Sequence, residues 1–168
     1  EIIMNPKPKL IVFDLDYTLW PYWCDTHICA PFKMISGIVK DSRGETVVHY
    51  PEVPQVLQQL QSEGYVLAVA SRTGEVRGAN QLIRLFEWEK YFTYNEIYPG
   101  CKITHFKKLK KLSGFEFHEM LFFDDERRNQ YDLKKIGVLM YLIDESVGVT
   151  QDVIKKGLRQ FAARAASE

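Results

Sequence analysis

Lys9-Leu-Ile-Val-Phe-Asp14-Leu-Asp16-Tyr-Thr18-Leu-Trp20 is the stretch from which the rest of the chain can be read. Residues 9–14 are a short run rich in β-branched and aromatic side chains, as expected of a strand buried on both faces inside a parallel sheet. The run ends in two carboxylates one residue apart, and a hydroxyl follows two positions later. Charge at the end of a buried strand is costly unless something there uses it. Two carboxylates so close also repel, which a bound cation or a shared proton resolves. The segment therefore predicts a site built from a divalent metal and an acid/base pair.

Outward from it, apolar strands alternate with amphipathic helices, the signature of an α/β domain with a parallel sheet. Val53, Val56, Leu57 and Leu60 fall at i, i+3, i+4 and i+7 of a helix over 53–63 that Gly64 stops. Tyr65–Ala70 reads as a second buried strand, 76–87 as a helix carrying Leu82, Ile83 and Phe86, and Tyr91–Tyr98 as a short strand. Pro99-Gly100 turns the chain into a helix at about 103–112, with Ile103, Phe106, Leu109 and Leu112 inward. The strand Glu119–Phe123 ends at Asp124-Asp125; a helix at about 127–136, the strand Val138–Ile143 and a helix from Thr150 complete the series. Residues 21–51 break the rhythm. There Phe32–Val39 and Glu45–Tyr50, flanking Asp41-Ser-Arg-Gly44, predict a β-hairpin flap that leaves the sheet directly after the acidic pair.

The 168 residues are expected to form one domain over 1–168, with the flap as an insert at about 21–51. The 22 basic and 22 acidic residues cancel, so there is no basic footprint for nucleic acid or an anionic membrane surface. No apolar run approaches the length of a membrane span, and no secretory leader pattern opens the chain. Cys24, Cys29 and Cys101 are odd in number and lack framework spacing, which points to a reduced, cytoplasmic setting. A monomer is expected. The cluster Cys24-Asp25-Thr26-His27-Ile28-Cys29 matches the spacing of no zinc finger or ribbon. Lys107, Lys108, Lys110 and Lys111 alternate with Phe106, Leu109 and Leu112 and read as the solvated face of a helix.

In an open parallel sheet, ligands bind beyond the carboxyl ends of the strands. Asp14 and Asp16 end the first strand, Ser71-Arg72-Thr73 the second and Asp124-Asp125 the fourth, while Lys102 follows the third at the turn into a helix. A hydroxyl, a cation and backbone N–H groups near several carboxylates suit a phosphate bridged by Mg²⁺. A cation at a helix N-terminus opposes the macrodipole by about 0.3–1 kcal/mol. Such a locally unfavourable choice is expected at functional positions.

These four groups, in this order, resemble the motifs of the haloacid dehalogenase superfamily of phosphohydrolases. The segments FDLDYTLWPYW, YPEVPQVL, ASRT, GANQL, YPGCKITHF and FFDDERRN are similar to its small magnesium-dependent phosphatase branch, and the resemblance covers nearly the whole chain. It implies a three-layer, Rossmann-like domain with a five-stranded parallel sheet, little or no cap, and an aspartyl-phosphate mechanism. By resemblance Asp14 is the nucleophile and Asp16 the general acid/base. Thr18 braces the loop, and Ser71 and Lys102 hold the phosphoryl oxygens. Arg72 is a branch feature placed to touch substrate. Mg²⁺ is implied on Asp14, the backbone carbonyl of Asp16 and Asp125, with Asp124 in the outer shell or orienting Lys102. Trp20, Tyr22 and Trp23 either form an aromatic wall at the mouth of the site or pack under the flap.

The expected activity is Mg²⁺-dependent phosphomonoester hydrolysis. A helix and a strand consume the stretch between Ser71 and Lys102, and the flap is shorter than the roughly 50 residues a domain needs, so the site is expected to be open. The resemblance offers aryl phosphates, including phosphotyrosine in proteins, and fructosamine 6-phosphates or other sugar phosphates as substrates. A phospho-acceptor signalling domain uses similar residues, but there the acidic pair comes early and no second acid lies two positions after the nucleophile. A phosphopeptide-binding module has no need of Asp16.

Overall fold

The computed structural model describes residues 5–167. The chain runs through β1 (Leu10–Phe13), the short strands β2 (Lys33–Ile35) and β3 (Ile38–Lys40), α1 (Val53–Ser62), β4 (Val66–Ser71) and α2 (Val76–Leu85). It continues through β5 (Phe92–Ile97), α3 (Lys102–Ser113), β6 (Met120–Asp124), α4 (Arg127–Lys134), β7 (Leu139–Leu142) and α5 (Gln151–Ala166). Five strands form a parallel sheet in the order β5-β4-β1-β6-β7, as expected.

Strand alternation splits the core into two layers. Ile11, Phe13, Leu67, Val69, Leu121 and Phe123 face a layer built with Val56 and Leu57 of α1, Leu82 of α2, and Ile154 and Phe161 of α5. Leu10, Val12, Ala68, Ala70, Met120 and Phe122 face the other, where α3 supplies Phe106 and Leu109 and α4 supplies Leu133. All four residues of β1 are fully buried, which explains why that strand carries no polar residue before Asp14. The winding reverses at β1: β4 and β5 lie on one side of it, β6 and β7 on the other. Its carboxyl end is therefore the switch point, where a crevice opens between diverging loops.

Helix ends follow their local chemistry. Pro54 occupies the first turn of α1, where a missing N–H costs nothing. The Thr150 hydroxyl caps α5 by accepting from the Val153 N–H. Leu112, expected inward, is 48% exposed, because the buried stripe of α3 is Lys102, His105, Phe106 and Leu109, one register away from the pattern anchored on Ile103.

The flap also differs from its expected form. Its hairpin lies within the first apolar run but for its last residue, with Lys33–Ile35 paired to Ile38–Lys40. Ser36 and Gly37 make the turn at φ 51° and 78°, the two positive angles that match strand twist in a two-residue connection. Asp41-Ser-Arg-Gly44 is not the hairpin turn. The Asp41 carboxylate accepts from the backbone N–H groups of Cys29, Arg43 and Glu45 at 2.9–3.0 Å, which closes a side-chain-capped loop instead. Glu45–Tyr50 keeps only one bridge, Lys40 to Thr46. The base of the flap joins the main core through Phe32, Val39, Val47 and Tyr50, while Ile35 and Ile38 at its tip stay exposed. No helix among the described residues is long and apolar enough to cross a membrane.

Candidate active site

The ends of β1, β4 and β6 and the start of α3 converge on a cleft of about 340 Å³ lined by Asp14, Asp16, Ser71, Arg72, Lys102 and Asn129, among others. Asp14 continues the ladder of β1, donating its N–H to the carbonyl of Phe123. The chain then turns sharply. The Leu15 carbonyl accepts from the N–H groups of Thr18 and Leu19, and Tyr17 adopts a left-handed φ of 57°, an uncommon conformation for a side chain of that size. This turn aims the Asp14 and Asp16 carboxylates into the cleft and folds Trp20 back over Asp16.

Lys102, the first residue of α3, is 1% exposed; its Nζ donates to Asp14 Oδ1 at 3.1 Å and to Asp124 Oδ2 at 3.0 Å. A surface lysine is excluded, and the dipole cost at that helix end is offset by two buried carboxylates. Asp124 also accepts from Asn129 Nδ2 at 2.7 Å and from the Glu126 N–H at 3.0 Å. Burial disfavours its ionised form, yet Lys102 and these donors outweigh burial and lower its pKa. Burial likewise opposes the Lys102 charge, and Asp124 and Asp14 overcome it, holding the ammonium above its ordinary pKa. Burial pushes the Asp14 carboxyl well above its ordinary value, with Asp124 adding to the push and Lys102 opposing it. Burial and then the adjacent Asp124 charge push Asp125 up to about 7.

One carboxylate oxygen from each of Asp14, Asp124 and Asp125 lies within 4.8 Å of the others. Three carboxylates face one ammonium, so carboxyl groups outnumber the cation that could compensate them. Hard oxygen donors with uncompensated charge fit a divalent cation of the magnesium type. Asp125 is the acid not engaged by Lys102 or Asn129, and so the one freest to ligate.

Asp16 sits apart from this cluster. Its Oδ1 accepts from the Trp20 indole N–H at 2.7 Å and from the Cys24 backbone N–H at 3.2 Å. Burial raises its pKa, and hydrogen bonds from Trp20 and from Cys24 oppose the rise. Thr18 is buried, its hydroxyl 3.5 Å from Asp14 Oδ2. Ser71 is buried at the end of β4, its Oγ accepting from the Thr73 N–H at 3.2 Å. Arg72 reaches Asn129 Oδ1 at 3.5 Å across the cleft.

The aromatic trio divides. Trp20 and Tyr22 are buried in a stack that runs on to Trp88, whereas Trp23 is 49% exposed, lines the cleft and stacks on His27. Cys24, Cys29 and His27 form no metal cluster among the described residues: the Cys24 thiol pairs with Thr73 and His27 Nδ1 accepts from the Trp23 N–H. Two residues escaped the sequence reading. Asn129 had a signal, being one helical turn into α4 after the acidic pair, on the side that faces back to the strand end. His105 had none, since its partners are carbonyls of other segments. Its Nε2 lies 2.8 Å from the Ser71 carbonyl and 2.7 Å from that of Tyr98, so Nε2–H donates and ties the ends of β4 and β5 to α3. Burial lowers the pKa of the ring.

Residues 6–164 match the family model described as acid phosphatase. The chain belongs to this acid phosphatase family. It is 54% identical to human magnesium-dependent phosphatase 1 over 95% of its own length and 90% of that protein. It is 41% identical to a HAD-like hydrolase superfamily protein of Schizosaccharomyces pombe, covering 78% of this chain and 83% of the other. Its fold is similar to a haloacid dehalogenase superfamily hydrolase from Ehrlichia chaffeensis, at a TM-score of 0.66 and 13% identity over 96% and 98% of the two chains. As an acid phosphatase family member the chain is a phosphatase of the haloacid dehalogenase superfamily. The acidic cluster at its strand ends is of the kind that holds magnesium.

Proposed function

We propose that the enzyme hydrolyses phosphomonoesters in two displacements, with Asp14 as nucleophile and Asp16 as acid/base, in an open site suited to aryl phosphates and phosphorylated sugar amines. Magnesium is its cofactor. The observation that carries the division of roles is that the two carboxyls are held differently: Asp14 by the Lys102 ammonium, Asp16 by two uncharged N–H donors. A carboxylate already paired to a cation and buried beside the metal ligands suits in-line attack. A carboxyl held only by neutral donors at the rim of the same cleft suits proton transfer.

In the first displacement an Asp14 oxygen attacks phosphorus and the bond to the leaving oxygen breaks. The departing oxygen keeps the electron pair and takes the proton of Asp16. In the second, the Asp16 carboxylate removes a proton from water, the resulting oxygen attacks phosphorus, and the bond to Asp14 breaks to release phosphate and restore both carboxyls. Ser71 and Lys102 hold the phosphoryl oxygens, Thr18 braces the loop, and Asp124 orients Lys102. Asp14, Asp125 and the Asp16 backbone carbonyl would hold Mg²⁺, which would supply neutralisation of the phosphoryl charge.

The mouth of the cleft supports the substrate classes. The face of Trp23 offers a platform for an aryl or sugar ring. Beside it, Asp25 and Glu126 can receive an amine, and Arg72 and Arg128 a carboxylate or hydroxyls. Among the described residues the 21–51 segment and the helix-bearing β4–β5 and β6–β7 connections are each too short for a cap domain, which leaves room for a phosphorylated protein.

The test is acid quench of the magnesium-loaded enzyme with p-nitrophenyl phosphate. Wild type turns over many times and yields an acid-stable, hydroxylamine-sensitive phosphoprotein. Asp14→Asn forms none, and Asp16→Asn accumulates it because the second displacement has lost its base. One phosphoryl group retained per chain without turnover would instead identify a signalling domain.

A further inference from the structure

We infer that Trp20 is a positioning residue for phosphoryl transfer: its indole N–H, together with the Cys24 backbone N–H, pins one oxygen of Asp16 and presents the other to the leaving group. The inference rests on the acid/base role proposed for Asp16.

A carboxyl group serving as acid must deliver its proton from one particular oxygen along one direction. Rotation about its terminal torsion is broad and roughly two-fold, so an unrestrained Asp16 would exchange its two oxygens and present either. Here both N–H donors converge on Oδ1, at 2.7 Å from Trp20 and 3.2 Å from Cys24. Among the described residues no N–H donates to Oδ2. Oδ2 is therefore the oxygen left to hand over a proton, and the two bonds to Oδ1 fix where Oδ2 points, in a side chain that lines the cleft.

The donors are themselves held rigidly. Trp20 is fully buried, and its ring lies nearly parallel to Tyr22 and Trp88, at centroid distances of 6.0 and 6.2 Å and interplanar angles of 9° and 13°. The Tyr22 hydroxyl anchors that stack by donating to the Val48 carbonyl at 2.7 Å. The Tyr17 N–H donates to the Trp20 carbonyl at 2.7 Å, so the left-handed turn at Tyr17 sets the approach of the indole to Asp16. Cys24 is fixed from its other end, where its thiol pairs with the Thr73 hydroxyl at 3.2 Å. The Thr73 N–H in turn donates to Ser71 Oγ, so the proton-handling and phosphate-holding groups share one rigid frame. Such support separates a usable carboxyl from one that is present but misaimed.

The competing view is that Asp16 merely satisfies a buried indole N–H. The two differ in how the rate depends on the leaving group. A general acid matters little when the departing oxygen is a weak base and a great deal when it is a strong one. The experiment replaces Trp20 in the full chain, site-specifically, with 3-benzothienylalanine, which keeps the bicyclic ring and the stack but has no N–H. Trp20→Phe and 5-fluorotryptophan, which retains the N–H, are run beside it. With Mg²⁺ present, kcat/KM, which reports the first displacement, is measured on aryl phosphates whose phenols span pKa values from about 4 to about 10.

For the benzothienyl protein we expect kcat/KM within about threefold of wild type for the most acidic phenol and about 10–100-fold lower for the least acidic, a steeper leaving-group slope. The fluorotryptophan protein keeps the wild-type slope. A uniform loss across the series, or no loss, overturns the inference. Asp16→Asn separates it from the reading beneath it. If Asp16→Asn steepens the slope and the position 20 replacement does not, Trp20 has no positioning role. If Asp16→Asn leaves the slope unchanged, the acid/base assignment itself fails.

Discussion

Lys102 Nζ lies 3.0 Å from Asp124 Oδ2, and both side chains are shielded from water. This pair joins the start of α3 to the end of β6, and the same ammonium reaches Asp14 at the end of β1. Lys102→Met leaves two buried carboxylates without their cation. We expect a loss of about 3–5 kcal/mol in unfolding free energy for the metal-free protein, read from urea titrations in chelator, and a smaller deficit when Mg²⁺ is added. On the proposed role of Lys102 in holding the phosphoryl oxygens, kcat/KM falls at least about 100-fold.

Asp125 gives the site a pH dependence. With its pKa at about 7 in the folded, metal-free protein, the native state holds a proton that an unfolded aspartate releases near pH 3.9. Between those two values the native Asp125 binds more proton than the unfolded one, so its contribution to stability falls as pH rises from about 4 to about 7 and levels off above. A ligating cation displaces that proton, so the apparent affinity for Mg²⁺ rises over the upper part of the same window and plateaus above about pH 7. Thermal unfolding in chelator across pH 5–8, with isothermal titration of Mg²⁺ at each pH, checks both slopes. Flat profiles would remove Asp125 from the coupling.

Asn129 is the buried neutral partner of Asp124, at 2.7 Å, and also faces Arg72. Asn129→Ala removes a hydrogen bond to a charged group, worth about 1.5–3 kcal/mol. The stability loss should be accompanied by a fall of about tenfold in kcat/KM, because Asp124 then orients Lys102 less firmly. Asn129→Asp should be worse than Asn129→Ala in the absence of metal, since it adds a like charge. Urea unfolding and steady-state kinetics with p-nitrophenyl phosphate distinguish the three proteins.

Gly157 lies on the inner face of α5, where a Cβ would stand 2.6 Å from ring atoms of Phe123. Gly157→Ala therefore forces α5 away from β6 despite the better helix propensity of alanine, at a net cost of about 1–3 kcal/mol. Because that contact lies under the sheet and away from the cleft, kcat at 20 °C should stay within about twofold of wild type while the melting temperature drops.

Much of the fold was legible from local chemistry. Buried runs such as Leu10–Phe13 and Val66–Ser71 and the i, i+3, i+4 stripes of α1 and α5 place their elements to within a residue or two. The departures have two causes. Phe32–Val39 reads as one strand because nothing in its apolar pattern weights Ser36-Gly37 as a turn against the more polar Asp41–Gly44. Leu112 reads as inward because a lysine and a histidine do not look apolar, yet Lys102 and His105 set the inner stripe of α3. The first is a turn decided by backbone twist rather than polarity, the second a burial decided by an ion pair and two carbonyls rather than by apolar character.

The sequence by itself determined which chemistries reach the carboxyl edge of the sheet, because a strand's last residue and a helix's first are local facts of periodicity and capping. Asp14, Asp16, Ser71, Lys102, Asp124 and Asp125 are all named on that basis. Only the tertiary structure decided how they pair. Lys102 bridges Asp14 and Asp124 across separations of 88 and 22 residues. Trp20 stacks beneath the flap while Trp23 opens onto the cleft, and His105 fastens two strand ends from behind. Hydrogen bonds and charge pairs depend on differences of a few tenths of an ångström in the spacing of segments far apart in the chain, and that spacing is set by the packing of the whole core.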